Sequence, residues 1–225
     1  MHLGDAATRH PDRTAVVIND RRVSYAALDA ASRRLAHLAR EHGLQRGSVL
    51  AVLAPNGPEF LAAVTAAQRS GLYALPLATR LTREELTYIL DDSGAALLLV
   101  HQAYADRVDE IATRDSKLKT RTFDQIDALF EAAPELAEAD PVEGGDMLYT
   151  SGTTGRPKGV RRPLDYAPLG SSAARGERLK ALFGFDADSV FLSPAPLYHA
   201  APLRFTTTLL RLDATLVLMD RFDAA

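Results

Sequence analysis

The 225-residue chain contains no cysteine, which excludes disulfides, thiolate metal centres and cysteine nucleophiles together. No apolar run approaches the roughly 18 residues of a membrane span, and His2 to Arg13 is polar where a signal peptide would be apolar. No integral membrane segment is therefore expected, and the cytoplasm is the expected compartment. Positive charge is also scarce: 26 Lys and Arg face 29 Asp and Glu, a net charge of -3, which argues against a general nucleic-acid binder. Internal repeats and low-complexity tracts are missing too. What is present, 47% hydrophobic and 24% charged residues, is ordinary for a globular chain able to bury a core as one large or two small domains.

Chemistry is declared in one stretch, Met147-Leu148-Tyr149-Thr150-Ser151-Gly152-Thr153-Thr154-Gly155-Arg156-Pro157-Lys158-Gly159-Val160. Its glycines let the backbone turn tightly and approach an anion closely. Thr150, Ser151, Thr153 and Thr154 supply neutral donors, and Lys158 supplies a compact positive charge suited to phosphate. The apolar run Met147 to Tyr149 predicts a buried strand, so the loop starts at a strand end, where α/β folds place ligands. Arg156, Lys158, Arg161 and Arg162 form the one basic cluster; with no interleaved aromatic it suits local anion binding, or for Arg161 and Arg162 a solvated edge.

This is not a Walker loop. Five residues beyond Gly152 stands Pro157 where that motif needs glycine, and Lys158 is followed by Gly159 with no hydroxyl for magnesium. The stretch from Tyr149 to Gly159 instead resembles the Y-T-S-G-T-T-G-x-P-K-G signature of the adenylate-forming superfamily, which includes acyl-CoA synthetases, peptide-synthetase adenylation domains and luciferases. Two weaker segments agree. Val23 to Leu28 is similar to the superfamily's L-T-Y-x-E-L block, with Ala27 in place of Glu, and Pro196-Leu197-Tyr198-His199 is similar to its P-L-x-H segment.

The resemblance implies an ATP-dependent acid-thiol ligase, most like a bacterial fatty-acid or acyl-CoA synthetase, that forms an acyl-adenylate and then a CoA thioester. It implies Thr150, Ser151, Gly152, Thr153, Thr154, Gly155 and Lys158 as the ATP site, Thr154 as a magnesium contact, and Tyr198 and His199 beside the acid. Lys158 and His199 are the catalytic candidates; ATP, Mg2+ and CoA are the implied cofactors. Residues 1–225 correspond to the front part of the large N-terminal AMP-binding domain, without its later motifs or its small C-terminal lid domain, so the chain alone is expected to be inactive. The alternatives are a nucleotide-binding fragment without turnover and an acyl-AMP ligase that loads a carrier protein.

Along the chain, Thr14 to Ile18 and Arg21 to Ser24 predict a hairpin turning at Asn19-Asp20. Ser24 can cap a helix from Tyr25 to about His42, stopped by Gly43. Strands are expected at Ser48 to Ala54, Tyr73 to Leu77 and Ala95 to Val100, alternating with helices from Glu59 to Ser70 and from the Thr82-to-Glu85 capping box to about Asp92. The fold class is therefore α/β, mainly parallel sheets flanked by helices on both faces. A helix near Tyr104, a strand at Arg121 to Phe123 and a helix from Asp124 follow. Residues 131–146 suggest an exposed connection. Helices from Tyr166 to Phe183 and Thr206 to Leu212 and strands at Ser189 to Ser193 and Ala214 to Met219 complete the pattern. The last strand is expected to be exposed and to favour association with a second copy, a homodimer, or with the rest of the protein. His37 and His42, five apart, do not share a helical face and are not expected to bind metal.

Overall fold

The computed structural model describes residues 2–114, 117–126, 129–131, 141–150, 156–171 and 174–220. Helices are α1 (Leu3–Arg9), α2 (Tyr25–Glu41), α3 (Pro58–Arg69), α4 (Arg83–Ser93), α5 (Ala105–Arg114), α6 (Ala174–Phe183) and α7 (Ala200–Arg211). Strands are β1 (Thr14–Ile18), β2 (Arg21–Ser24), β3 (Val49–Leu53), β4 (Tyr73–Pro76), β5 (Ala95–Val100), β6 (Lys119–Thr122), β7 (Gly145–Thr150), β8 (Lys158–Arg161), β9 (Val190–Ser193) and β10 (Thr215–Leu218).

Two sheets organise these elements. The larger runs β6-β5-β3-β4-β7-β8 and is parallel except for the β7–β8 pair. Every residue of β3 and β4 is buried, because helices cover both faces. Leu50, Val52 and Leu97 pack with Leu28 and Leu35 of α2 and Phe60 and Leu61 of α3. Ala51, Leu75 and Leu98 point the other way, against Leu86 and Ile89 of α4 and Val108 of α5. This alternation lets one strand serve two cores. The smaller sheet runs β2-β1-β10-β9, with β1–β10 and β10–β9 parallel and β1–β2 antiparallel.

The local signals in the sequence work as physics expects. Asn19 takes a left-handed conformation, φ 50°, in the β1–β2 turn. The Ser24 side chain accepts from the Ala27 amide, and Thr82 and Glu85 form the reciprocal capping box. Gly43 and Gly94 end their helices at φ 81° and 65°, where a side chain would be strained.

Elsewhere the structure adds to the expectations or corrects them. The sequence carried no expectation for α1, which a His2–Asp5 capping box starts and which buries Leu3 and Ala6. The helix expected from Tyr166 begins only at Ala174: Pro168 cannot donate and restricts its predecessor, Tyr166 sits at φ 51°, and Pro168 bridges to Val142. Residues 141–144 are not an exposed connection, since Val142 and Glu143 are buried. Glu143 accepts a two-pronged pair from Arg211 of α7, at 2.8 and 3.0 Å, and a bond from the Gly170 amide. A single 3-10 turn, Phe123–Gln125, stands where a helix from Asp124 was expected.

The helix expected from Thr206 starts a full turn and a half earlier, at Ala200. Pro202 falls in its first turn, where the missing N–H has no helical partner to lose. Finally, β10 is not exposed. It lies between β1 and β9, with Leu216 and Leu218 in the core. β9 is an edge strand of this sheet, with Val190 69% and Leu192 55% exposed.

Candidate active site

The cleft lies where the two sheets meet. It has a volume of about 740 Å³ and draws on the C-terminal ends of β4 and β7, the strand β8, the α4 face, and the start of α7. Its floor is apolar, from Leu77, Leu81, Ile89, Leu148 and Val160, and Arg80, Arg162 and Arg204 bring positive charge to it. Glu85 is the one acidic lining residue among the described residues, and one of its oxygens accepts the Thr82 amide in the α4 cap. The field in the cleft therefore favours anions.

Thr150 lines the cleft at the end of β7 and pairs in register with Lys158 of β8. Residues paired in register share a face, as do residues two apart on a strand, so Lys158 stands on the same side as Thr150 and Val160. Its side chain is exposed. Ser151, Gly152, Thr153, Thr154 and Gly155 lie outside the described residues. Opposite Tyr149 in the register stands Gly159, where a Cβ would come within 2.9 Å of the Tyr149 ring and 2.8 Å of Met147 Cε. That glycine lets β8 lie over β7. The Tyr149 hydroxyl donates to Asp92 at 2.5 Å; burial first, then that bond, push its pKa well above the ordinary tyrosine value. It stays a neutral donor that ties β7 to α4.

The basic cluster divides on inspection. Arg161 stacks on the Tyr73 ring at 4.2 Å and donates to the Gly47 carbonyl, so it is a structural clasp at the back of the strand. Arg156 lies 5.4 Å from the Tyr88 ring centroid, and Tyr88 donates to the Pro157 carbonyl, which fastens the loop's far end to α4. Arg162 faces the cleft.

On the other wall, Tyr198 and His199 both line the cleft, their rings 4.6 Å apart. His199 is the residue before α7, and its carbonyl accepts from Leu203, while its ring makes no cap and is left facing the cleft. Arg204, one turn further on, donates through Nε and Nη2 to Asp146 at the start of β7, at 3.2 and 2.7 Å. That pair fastens the α7 wall to the β7 wall. Arg80, Arg204 and Asp146 had no signal in the sequence, since they come from separate segments with no shared motif. Among the described residues no three of His, Cys, Asp and Glu come together as a metal site.

The sequence model of the AMP-binding enzyme family matches residues 3–225. The chain belongs to the AMP-binding enzyme family. Indoleacetate–CoA ligase of Aromatoleum aromaticum is 32% identical over all of this chain and 46% of its own length. The 2-succinylbenzoate–CoA ligase of Bacillus subtilis is 31% identical over 96% of this chain and 42% of its own. The chain thus spans less than half of these AMP-binding relatives. Its backbone resembles the inhibitor-bound N-terminal domain of FACL13 from Mycobacterium tuberculosis, with a TM-score of 0.84 and 28% identity, covering 99% of this chain and 57% of that one. It also resembles O-succinylbenzoate coenzyme A synthetase of Bacillus subtilis solved with ATP and magnesium ion, TM-score 0.76 and 29% identity over 99% of this chain and 57% of that one. The α/β class and the acyl-CoA synthetase-like architecture are therefore shown, and its AMP-binding relatives include acid–CoA ligases of fatty and aromatic acids as well as a surfactin synthase subunit of Bacillus subtilis.

Proposed function

We propose that residues 1–225 form the front part of the AMP-binding domain of an ATP-dependent acid–CoA ligase acting on an acid with an apolar body. One observation supports this above the rest: Thr150 and Lys158, the two ends of the signature loop, stand opposite one another beside an apolar cleft whose other wall carries Tyr198 and His199. In the reaction, a carboxylate oxygen bonds to the α-phosphorus of ATP and pyrophosphate leaves. A thiol then attacks the acyl carbon and AMP leaves.

Both reactants of the first step are anions, so the site must offset their repulsion and the charge of the departing pyrophosphate. Lys158 and the hydroxyls and amides of residues 150–155 are the groups proposed to hold the phosphates, with Lys158 on the leaving side. The acid's apolar body fits Leu77, Leu81, Ile89 and Leu148, and its carboxylate fits the Tyr198-His199 end of the cleft. With no carboxylate cluster among the described residues, a magnesium ion suits this donor set only if the phosphates supply most of its ligands and Thr154 adds a hydroxyl. Bound so, it would neutralise phosphate charge.

Pyrophosphate–ATP exchange with a panel of fatty and aromatic acids tests the proposal in the longest protein that contains this chain. Acid-dependent exchange is the expected result. Nucleotide binding with no exchange for any acid would favour the binding-only alternative, and exchange followed by transfer to a carrier protein but not to CoA would favour an acyl-AMP ligase.

A further inference from the structure

Pro194 to His199 must cross from the end of β9 in the small sheet to the start of α7, and no regular pairing holds it on the way. One side chain from the large sheet does. Asn56 follows β3, and its Oδ1 accepts from the Leu197 amide at 2.8 Å. Its Nδ2 donates to the Ala195 carbonyl at 3.2 Å and to the Met219 carbonyl, just past β10, at 2.9 Å. The three bonds use one acceptor site and both donors of the amide, which fixes its orientation without ambiguity. No other residue type offers that set at that length: Asp lacks the donors, Ser is too short to span two carbonyls and an amide, and Gln adds a methylene.

We infer that Asn56 is a positioning residue for the cleft, setting where Tyr198 and His199 stand relative to the Thr150–Lys158 end. The inference rests on the function proposed above for its catalytic consequence, while the positioning itself stands on geometry. Leu197, fully buried, is pinned on its backbone by Asn56, and the next two residues carry the rings that line the cleft. The His199 amide then donates back to the Pro196 carbonyl at 3.2 Å, so the turn between the pinned residue and the start of α7 is closed within three residues. A shift at Leu197 therefore passes to His199 with little slack. Because Met219 is held by the same amide, the ends of β3 and β10 and the β9–α7 connection move as one body.

The test uses the 225-residue chain first. The Cε1–H resonance of His199, assigned by its loss in His199→Gln, reports its tilted contact with the Tyr198 ring, centroids 4.6 Å apart. Asn56→Ala should move that resonance and raise the hydrogen-exchange rate of the Leu197 amide at least tenfold. A control, Val23→Ala on β2, destabilises the same small sheet and should leave the His199 resonance in place, raising Leu197 exchange less than Asn56→Ala does. Asn56→Asp keeps the acceptor for Leu197 but turns both donors into repulsion against carbonyls, so its Leu197 protection should fall between the two, and should recover as the carboxyl is protonated at low pH. An unmoved His199 resonance in Asn56→Ala, or an equal change in the control, overturns the inference whatever the protein catalyses. In a protein that shows acid-dependent exchange, Asn56→Ala should lower kcat for exchange about tenfold and change the KM for ATP less than twofold. A loss confined to the KM for ATP would also overturn it, since that places Asn56 with the phosphate end instead.

Discussion

The two sheets are built on opposite principles. In the large sheet, β3, β4 and β5 follow one another through α3 and α4, each strand pairs with a near neighbour in sequence, and helices seal both faces. In the small sheet, β1 finds its parallel partner β10 some two hundred residues later, and the far edge, β9, shows Val190 and Leu192 to solvent. The first kind of sheet is built through local connections; the second closes only when β1 and β10 meet. The cleft lies between them, with Thr150 and Lys158, the ends of the signature loop, on the large-sheet side and Tyr198 and His199 on the side of the β9–α7 connection. Tertiary contacts across this junction, Arg204 to Asp146, Arg211 to Glu143 and Asn56 to the Ala195–Leu197 backbone, fix one wall relative to the other.

The largest expected effect tests that contrast directly. Leu98 is fully buried in β5, and Leu98→Ala should cost about 2 to 5 kcal/mol, the range for a truncated core leucine. Leu192→Ala on the β9 edge should stay within about 0.5 kcal/mol. Urea unfolding of both variants gives the comparison. A cost at Leu192 that approaches that at Leu98, and grows with protein concentration, would mean that β9 is covered in solution by a second copy, and the contrast would be wrong.

Next in size is the large-sheet side of the cleft. In a protein that performs the exchange reaction, Lys158→Ala removes a charge-assisted contact worth about 1.5 to 3 kcal/mol, so acyl-adenylate formation should slow roughly tenfold to a hundredfold. Thiolation of supplied acyl-AMP should change much less. Equal losses in the two half-reactions, measured by single-turnover kinetics, would remove Lys158 from the phosphate end.

The same contrast explains what could be read in the sequence. The large sheet was legible because its information is local: Ser24, Thr82 and Gly94 mark helix ends, and fully apolar runs mark buried parallel strands. The signature loop was legible for the same reason, as one contiguous stretch with its hydroxyls, glycines and lysine in order. In the small sheet all four strands and the β1–β2 hairpin were legible, but the pairing that joins them was not. Nothing near Ala214 says that its strand will lie between β1 and β9, and so its exposure was misjudged. Prolines misled in both directions: Pro168 stops a helix expected from Tyr166, whereas Pro202, in a first turn, allows α7 to begin before it. Of the cationic lining of the cleft only Arg162 was readable, as part of the basic cluster; Arg80 and Arg204 lie 82 and 42 residues from it and come beside it only through the tertiary fold.

Closure of the small sheet has its own test. Arg9 of α1 grips Asp213, between α7 and β10, with Nη2 2.8 Å from one carboxylate oxygen and Nε 3.1 Å from the other. Asp213 is buried, and it holds a left-handed backbone at φ 65° that a side chain rarely adopts. Arg9→Ala leaves that carboxylate with less compensation, yet Arg9 itself is 40% exposed, so screening limits the loss to about 1 kcal/mol. If the β1–β10 pairing is the late step, the loss should appear mainly as faster unfolding, with the folding rate little changed. Hydrogen exchange should then rise in β1 and β10 and stay unchanged in β3 to β5. Uniform loss of protection in both sheets would show that they fold as one unit and that the contrast is only geometric.

The smallest effect lies on the large-sheet side, at His42, where α2 ends beside the β6 edge. Burial first, then Arg121 and Lys119, hold its imidazole below the ordinary histidine value, with Glu41 opposing them. Its Nε2 is buried without a hydrogen-bond partner among the described residues. The sign follows from proton counting. Above about pH 6.5 the ring is neutral both folded and unfolded and makes no pH-dependent difference. As pH falls below that value the unfolded chain takes up a proton that the folded protein still refuses, so stability drops until the folded ring also titrates, and then levels off. His42→Gln should remove this slope. The fall in urea stability between pH 7.5 and pH 5.5 should be shallower in the variant, the other five histidines being common to both proteins. A steeper fall in the variant would mean that the folded protein stabilises the charged ring, and that the positive edge formed by Lys119 and Arg121 is neutralised by groups not yet placed against it.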